Sequence, residues 1–299
     1  MPGRWPNAFI AGTPKAGTTS LYRYLAQHPA IHMSEEKEPH FFDDVFRDTD
    51  PDTEARRQAT EAYLALFADA EEPIVGEATP GYFSKPGVFE RIDERCTDPR
   101  FVVSLRDPIA AIHSGYLMRA RRGKQRIEDE PEGFTEHVRT SLAADPGSRD
   151  RYNIEGRFYG THYERFCSVF EEDRIHLLTL DELGEDPRGV LRDIARFLDV
   201  DPGAVDAIDL DTRHNPFGVP SNELFRWLLT SDLPRRVARL VLPEPVRVWL
   251  GEHALLEKTE KPPMGEEPVE LLADEFEPEI TKLEKQTGRS FDSLRASWS

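Results

Sequence analysis

The stretch Gly12-Thr13-Pro14-Lys15-Ala16-Gly17-Thr18-Thr19-Ser20 carries the clearest chemistry in this chain. Two glycines permit a tight loop, Lys15 supplies a cation, and three hydroxyls follow. With a strand leading in and a helix leading out, the loop amides and the helix N-terminus direct partial positive charge at one spot, as a phosphate group requires. A nucleoside-triphosphate loop carries its lysine directly after the second glycine. Here Thr18 holds that place and the lysine lies inside the loop, at Lys15. No clear acidic strand end is available for magnesium. The stretch reads as a phosphate loop working without a metal; the plain alternative is a strand, turn and helix with a lysine by chance. Two more groups suit such a site. Glu77 follows a short apolar run, and a carboxylate just past the C-terminal end of a parallel strand sits where open α/β sheets place ligands. Arg106 follows the apolar run 101–105; a guanidinium there can fork onto a phosphate, with the Ser114 hydroxyl as a further donor.

The elements that must position these groups are legible in part. Residues 8–11 read as a buried strand, and Leu21, Tyr22, Leu25 and Ala26 recur at helical spacing until His28-Pro29. Residues 32–51 read as irregular, broken by Pro39. An amphipathic helix is expected over 53–68, a strand over 73–76, a strand over 101–105, and a helix from Pro108 through Met118. Residues 119–133 run basic and then acidic, as a loop. A helix over 134–143, a strand over 174–180 and a helix from Pro187 follow. Beyond Ile208 the pattern is mostly helical, with short helices at 225–229 and 246–250 and a last one over 267–286. The expectation is one α/β domain over 1–299, with a three-layer fold of the phosphate-loop type. Residues 1–200 make a core of mainly parallel sheet flanked by helices, and 201–299 a mostly helical C-terminal third.

Composition narrows the function. The 299 residues carry a net charge of −18, which argues against nucleic acid as a partner, since phosphate backbones demand a basic face. No run approaches the ~20 apolar residues of a membrane span, and the N-terminus lacks a signal-peptide core, so a soluble, cytoplasmic protein is expected. The acidic excess fits either a high-salt cytoplasm or an ordinary acidic protein. Two cysteines, Cys96 and Cys167, make no disulfide framework, and the nine histidines show no zinc spacing, so no metal is expected.

Four motifs, in order, resemble the sulfotransferases that use 3′-phosphoadenosine 5′-phosphosulfate (PAPS). The loop Gly-Thr-Pro-Lys-Ala-Gly-Thr-Thr-Ser-Leu is similar to their 5′-phosphosulfate loop. Lys37-Glu38-Pro39-His40-Phe41-Phe42 resembles a segment of the heparan-sulfate-type branch, Gly-Glu77-Ala-Thr-Pro-Gly-Tyr-Phe is similar to Glu-x-x-Pro-x-Tyr-Phe, and Arg106-Asp107-Pro108 with Ser114 resembles the 3′-phosphate motif. The resemblance implies PAPS as donor, 3′,5′-ADP as product and a carbohydrate-type acceptor such as a glycan or glycolipid. It gives Lys15 to the leaving phosphate, Glu77 to general base catalysis and Lys37 to the sulfuryl oxygens, with His40 the other candidate base. Lys15, Ala16, Gly17, Thr18, Thr19, Ser20, Arg106, Ser114, Tyr159 and Lys261 are the expected donor-binding residues. The sequence departs from the family at Ala111, where relatives usually carry a second arginine. A lipid or small alcohol acceptor, a phosphate-loop kinase, and a non-catalytic nucleotide-binding protein are the alternatives. Peripheral contact with a glycolipid surface is compatible with this reading.

Overall fold

Five short, largely apolar strands align as one parallel sheet in a computed structural model of the chain. The structure describes residues 4–50, 52–121, 131–210, 219–220, 256–257 and 262–298. The strands are β1 (Ala8–Gly12), β2 (Ile31–Met33), β3 (Ile74–Ala78), β4 (Arg100–Leu105) and β5 (Ile175–Thr179), in spatial order β2-β3-β1-β4-β5. Phe9 pairs with Glu77 across β1 and β3, and with Phe101 across β1 and β4. The chain goes from β1 to the edge strand β2, returns to β3 beside β1, then crosses to β4 and β5 on the other side. Such a reversal opens a crevice at the C-terminal ends of the strands beside it.

Alternation along β1 sorts the core into two layers. Phe9 and Ala11 face a cluster that includes Tyr63, Phe67, Phe89, Tyr159 and Phe166. Tyr63 comes from helix α2 (Glu54–Ala65), Phe67 from the turn after it, Phe89 from α3 (Val88–Asp93), and Tyr159 and Phe166 from α7 (Tyr159–Cys167). Ala8 and Ile10 face Leu21, Leu25, Leu183, Leu191 and Ile194. That second layer is built by α1 (Thr18–Leu25), α8 (Leu180–Glu185) and α9 (Pro187–Phe197). A third cluster joins α4 (Pro108–Arg121), α5 (Glu132–Ala143) and α6 (Tyr152–Glu155) to the last helix, α10 (Glu266–Thr287), through Ile109, Tyr116, Phe134, Ile154 and Phe276.

The helix ends follow local chemistry. Thr53 caps α2 by accepting from the Arg56 amide, so the helix starts one residue after Thr53 and ends at Ala65, short of the expected 68. Thr179 and Glu182 form a reciprocal capping box on α8. Asp107 caps α4 with Pro108 in its first position: Oδ1 accepts from the Ile109 and Ala110 amides, while Oδ2 accepts from the Ser297 amide at 2.7 Å. Gly288, in a left-handed conformation at φ 65°, closes α10.

Residues 32–51 are not irregular throughout. Residues 31–33 form strand β2, and Phe41–Val45 make a π-helical turn that runs into a single helical turn at Phe46–Asp48. Beyond 208, Val219–Pro220 pairs antiparallel with Leu256–Glu257 as β6 and β7, and α10 spans Glu266–Thr287 where 267–286 was expected. The expected helices at 225–229 and 246–250, and most of the loop at 119–133, lie outside the described residues. Among the described residues no helix is long and apolar enough to cross a membrane.

Candidate active site

The loop after β1 is bolted to β4. The Thr13 amide and hydroxyl both donate to the Ser104 carbonyl, at 2.7 and 3.0 Å. Ser104 Oγ donates back to the Ala16 carbonyl at 2.6 Å, and Arg106 Nη1 donates to the Lys15 carbonyl at 3.0 Å. Lys15 and Gly17 take positive φ, 72° and 80°, which turns the chain sharply enough to begin α1 at Thr18. A Cβ on Gly17 would stand 2.8 Å from the Leu180 side chain, so glycine serves both the turn and the packing. The amides of Ser20 and Leu21 return to the Gly17 carbonyl, and those of Thr18 and Thr19 have no intrahelical partner, the arrangement that receives an anion at a helix start. Lys15 Nζ lies 3.6 Å from Met118 Sδ on α4; Ser114, half-buried, is one turn earlier on the same face.

Lys37 and His40 sit on a strap running past the ends of β2 and β3. The Ser34 amide donates to Gly76 O at 2.8 Å and the Glu38 amide to Ala78 O at 2.9 Å, while Tyr22 Oη on α1 donates to Ser34 O at 2.6 Å. The strap therefore passes the same end of the sheet as the loop. Lys37 ion-pairs with Glu38, and the Glu38 carboxylate lies 4.0 Å from His40 Nε2. His40 Nδ1 is 3.1 Å from Asp43 Oδ2, and that hydrogen bond raises the His40 pKa above its ordinary 6.5. Burial alone would raise Asp43, but hydrogen bonds from His40, Lys85 and the Asp44 amide outweigh it and hold its carboxyl at about 2. His40, Asp43 and Asp44 are grouped closely enough to suggest a metal, yet Lys85 Nζ already lies 2.6 Å from Asp43 and 3.2 Å from Asp44. An internal ammonium thus answers these carboxylates.

Glu77, the base expected from the sequence, lies near the C-terminal end of β3. It is 0% exposed. Tyr63 Oη donates to Oε1 at 2.7 Å and Thr79 Oγ1 to Oε2 at 2.8 Å. Burial raises its carboxyl to about 7, against the pull of hydroxyl bonds from Tyr63, Thr79 and Tyr82. Tyr159 is 0% exposed and its hydroxyl donates to the Arg106 carbonyl at 2.9 Å. Arg106 is half-buried, and burial lowers its pKa. Lys261 lies outside the described residues. Glu38, between the two residues that the motif singles out, has a side chain 45% exposed at the strap.

A phosphate-type loop at the reversal point of a parallel sheet, with a lysine inside it and an arginine at the next strand end, defines a class of α/β proteins built to hold a phosphorylated ligand. The sequence model of the Sulfotransferase family matches residues 6–202, and the chain belongs to that family. Carbohydrate sulfotransferase 15 of Mus musculus is 25% identical over 256 residues, covering 66% of this chain and 44% of the relative. Heparan sulfate glucosamine 3-O-sulfotransferase 3A1 of the same species is 27% identical over 202 residues, covering 64% of this chain and 45% of the relative. The matches thus span less than half the length of these curated relatives. A crystal structure of a sulfotransferase from Alicyclobacillus acidocaldarius superposes with a TM-score of 0.64 at 25% identity, covering 97% of this chain and 99% of that one.

Proposed function

We propose that the chain transfers a sulfuryl group from PAPS to a hydroxyl or amine of a carbohydrate-type acceptor, releasing 3′,5′-ADP. The observation that carries this reading is the loop clamped to β4 by Ser104 and Arg106, with Lys15 inside it, at the crevice where β1 meets its neighbours. The sulfur–oxygen bond to the 5′-phosphate breaks as the acceptor oxygen or nitrogen bonds to sulfur, and the acceptor proton passes to a carboxylate. Lys15 and the amides of residues 17–19 stabilise the charge gathering on the leaving phosphate. Lys37 neutralises the sulfuryl oxygens, and Arg106 with Ser114 takes the 3′-phosphate. The reading uses protein cations for these tasks and places the protein in the cytoplasm.

The proton acceptor in this reading is Glu38, backed by the His40–Asp43 pair, because its carboxylate is open at the strap. Glu77, the base expected from the sequence motif, becomes a positioning residue: it is closed off, and its hydroxyl partners hold the strap. A carbohydrate acceptor is supported by the names of the relatives, which act on carbohydrate chains by those names.

Thermal melting tests the donor. Ligand at about 100 times its dissociation constant adds roughly 2.7 kcal/mol, a readily measured shift. A shift with 3′,5′-ADP that Arg106→Ala removes is the expected result. A shift only with ATP and magnesium would sink the reading. Sulfuryl transfer from labelled PAPS to a panel of saccharides, lipids and phenols then reads the acceptor class.

A further inference from the structure

Arg157 is a buried cation without an answering anion among the described residues. It exposes 8% of its surface, its Nε is buried with no hydrogen-bond partner, and among the described residues no carboxylate pairs with its guanidinium. A buried charge left unpaired destabilises a fold, so a chain that keeps one has a use for it. Its place indicates the use. The Tyr159 amide donates to the Arg157 carbonyl at 2.8 Å, the Tyr159 hydroxyl donates to the Arg106 carbonyl, and Arg106 holds the Lys15 carbonyl. Arg157 is therefore two residues from the tyrosine that fixes Arg106 against the loop. Its charge is also felt by Arg106 and Arg119, where it adds to burial in lowering both pKa values. Arg119 is engaged with Asn153 and His137. Arg106 and Arg157 remain as two guanidiniums without carboxylate partners among the described residues, in a chain whose net charge is −18.

We propose that Arg157 pairs with Arg106 to form the pocket for a doubly charged phosphoryl group, the 3′-phosphate of the donor nucleotide. This rests on the donor reading above. The loop amides and Lys15 already serve the phosphate beside the transferred group, which leaves the arginine pair for the second one. Two guanidiniums can share the oxygens of one dianion, and the dianion removes the repulsion between them.

Calorimetric titration of the full chain with 3′,5′-ADP and with 5′-AMP, which differ only in the 3′-phosphate, separates the possibilities. Wild type is expected to prefer 3′,5′-ADP. Arg157→Gln should cut that preference by about 10- to 100-fold, all of it on 3′,5′-ADP. Arg157→Lys, which keeps the charge, should retain part of the preference and carries the test if the Gln variant fails to fold. An equal loss on both nucleotides, or an unchanged preference in folded variants, overturns the assignment. So does an unchanged preference with only the acceptor KM raised, which would give Arg157 to an anionic acceptor. A wild type with no preference for 3′,5′-ADP overturns the donor reading itself, and the Arg157 assignment with it.

Discussion

The hydroxyl of Tyr63 donates to Oε1 of Glu77 at 2.7 Å in a part of the core where neither residue meets solvent appreciably. Tyr63 also stacks on Phe41, with ring centroids 4.2 Å apart, and Tyr82, a further donor to Glu77, accepts from the Phe42 amide at 3.1 Å. Glu77 is thus tied through two tyrosines to the strap that carries Lys37, Glu38 and His40. In the reading proposed above, the carboxylate acts on the cleft by holding its wall.

Stability should reflect this burial through pH. Burial lifts Glu77 to about 7 from its ordinary 4.5, with Asp43 adding to the rise and the hydroxyls of Tyr63, Thr79 and Tyr82 opposing it. Cys96, also beside Glu77, is itself pushed up by burial. In that window the folded state binds a proton the unfolded chain has lost, so stability falls as pH rises from about 4.5 to 7 and then levels, by about 3 kcal/mol in all. Glu77→Gln cannot titrate. The melting temperature of wild type relative to this variant should therefore decline across that range; a difference independent of pH would show an ordinary Glu77 pKa.

Removal of the open carboxylate should stop chemistry and spare binding. Glu38→Gln is expected to lower kcat by about 10²- to 10⁴-fold with the dissociation constant of 3′,5′-ADP unchanged. Initial rates and calorimetry on the same preparation read both. Retained turnover in Glu38→Gln, with turnover lost in a stable Glu77→Gln, would return the base to Glu77.

Asp43 exposes 4% of its surface and relies on Lys85 and His40 for its charge partners. Lys85→Met strips the ammonium and leaves the carboxylate to His40. The loss should be about 1–3 kcal/mol in denaturant unfolding, less than for a sealed pair because the Lys85 side chain is 27% exposed. His40 should then titrate higher still, followed by its imidazole resonances. Its raised pKa stabilises the fold fully below about 6.5 and ceases to do so as pH rises through the folded value. An unchanged midpoint and an unchanged His40 titration would show that the pair contributes nothing.

The crossing of α7 and α10 depends on a missing side chain. A Cβ on Gly160 would stand 2.5 Å from the Glu279 carbonyl and 2.8 Å from Lys282 Cβ. Gly160→Ala must push the two helices apart, and an overpacking cost of about 1–3 kcal/mol is expected as a lower melting temperature. Binding of 3′,5′-ADP to the folded variant should persist, since the loop is held from β4. A melting temperature equal to wild type would mean that the helices separate without cost.

Sequence alone determined the loop, the strands β1, β3, β4 and β5 in their order, and the starts of α2, α4, α9 and α10 to within a residue, because these are written in neighbouring residues. Gly12, Lys15 and Gly17 lie within one turn of chain, and the Thr53, Asp107 and Thr179 caps satisfy amides two or three residues away. The π-helical turn at 41–45 was hidden, since Tyr82 holds Phe42 from 40 residues further on and Tyr63 holds Phe41 from 22. Glu77 was visible as a carboxylate at a strand end, whereas Glu38 read only as part of a charged run in an irregular segment. Which of them meets solvent was decided only when α2 laid Tyr63 over Glu77. Arg157, by composition an ordinary surface cation, became a buried one only once α6 and α7 had packed beside the loop. A residue's type travels with the sequence; its exposure and its charged neighbours are set by segments far along the chain, and only the tertiary structure brings those together.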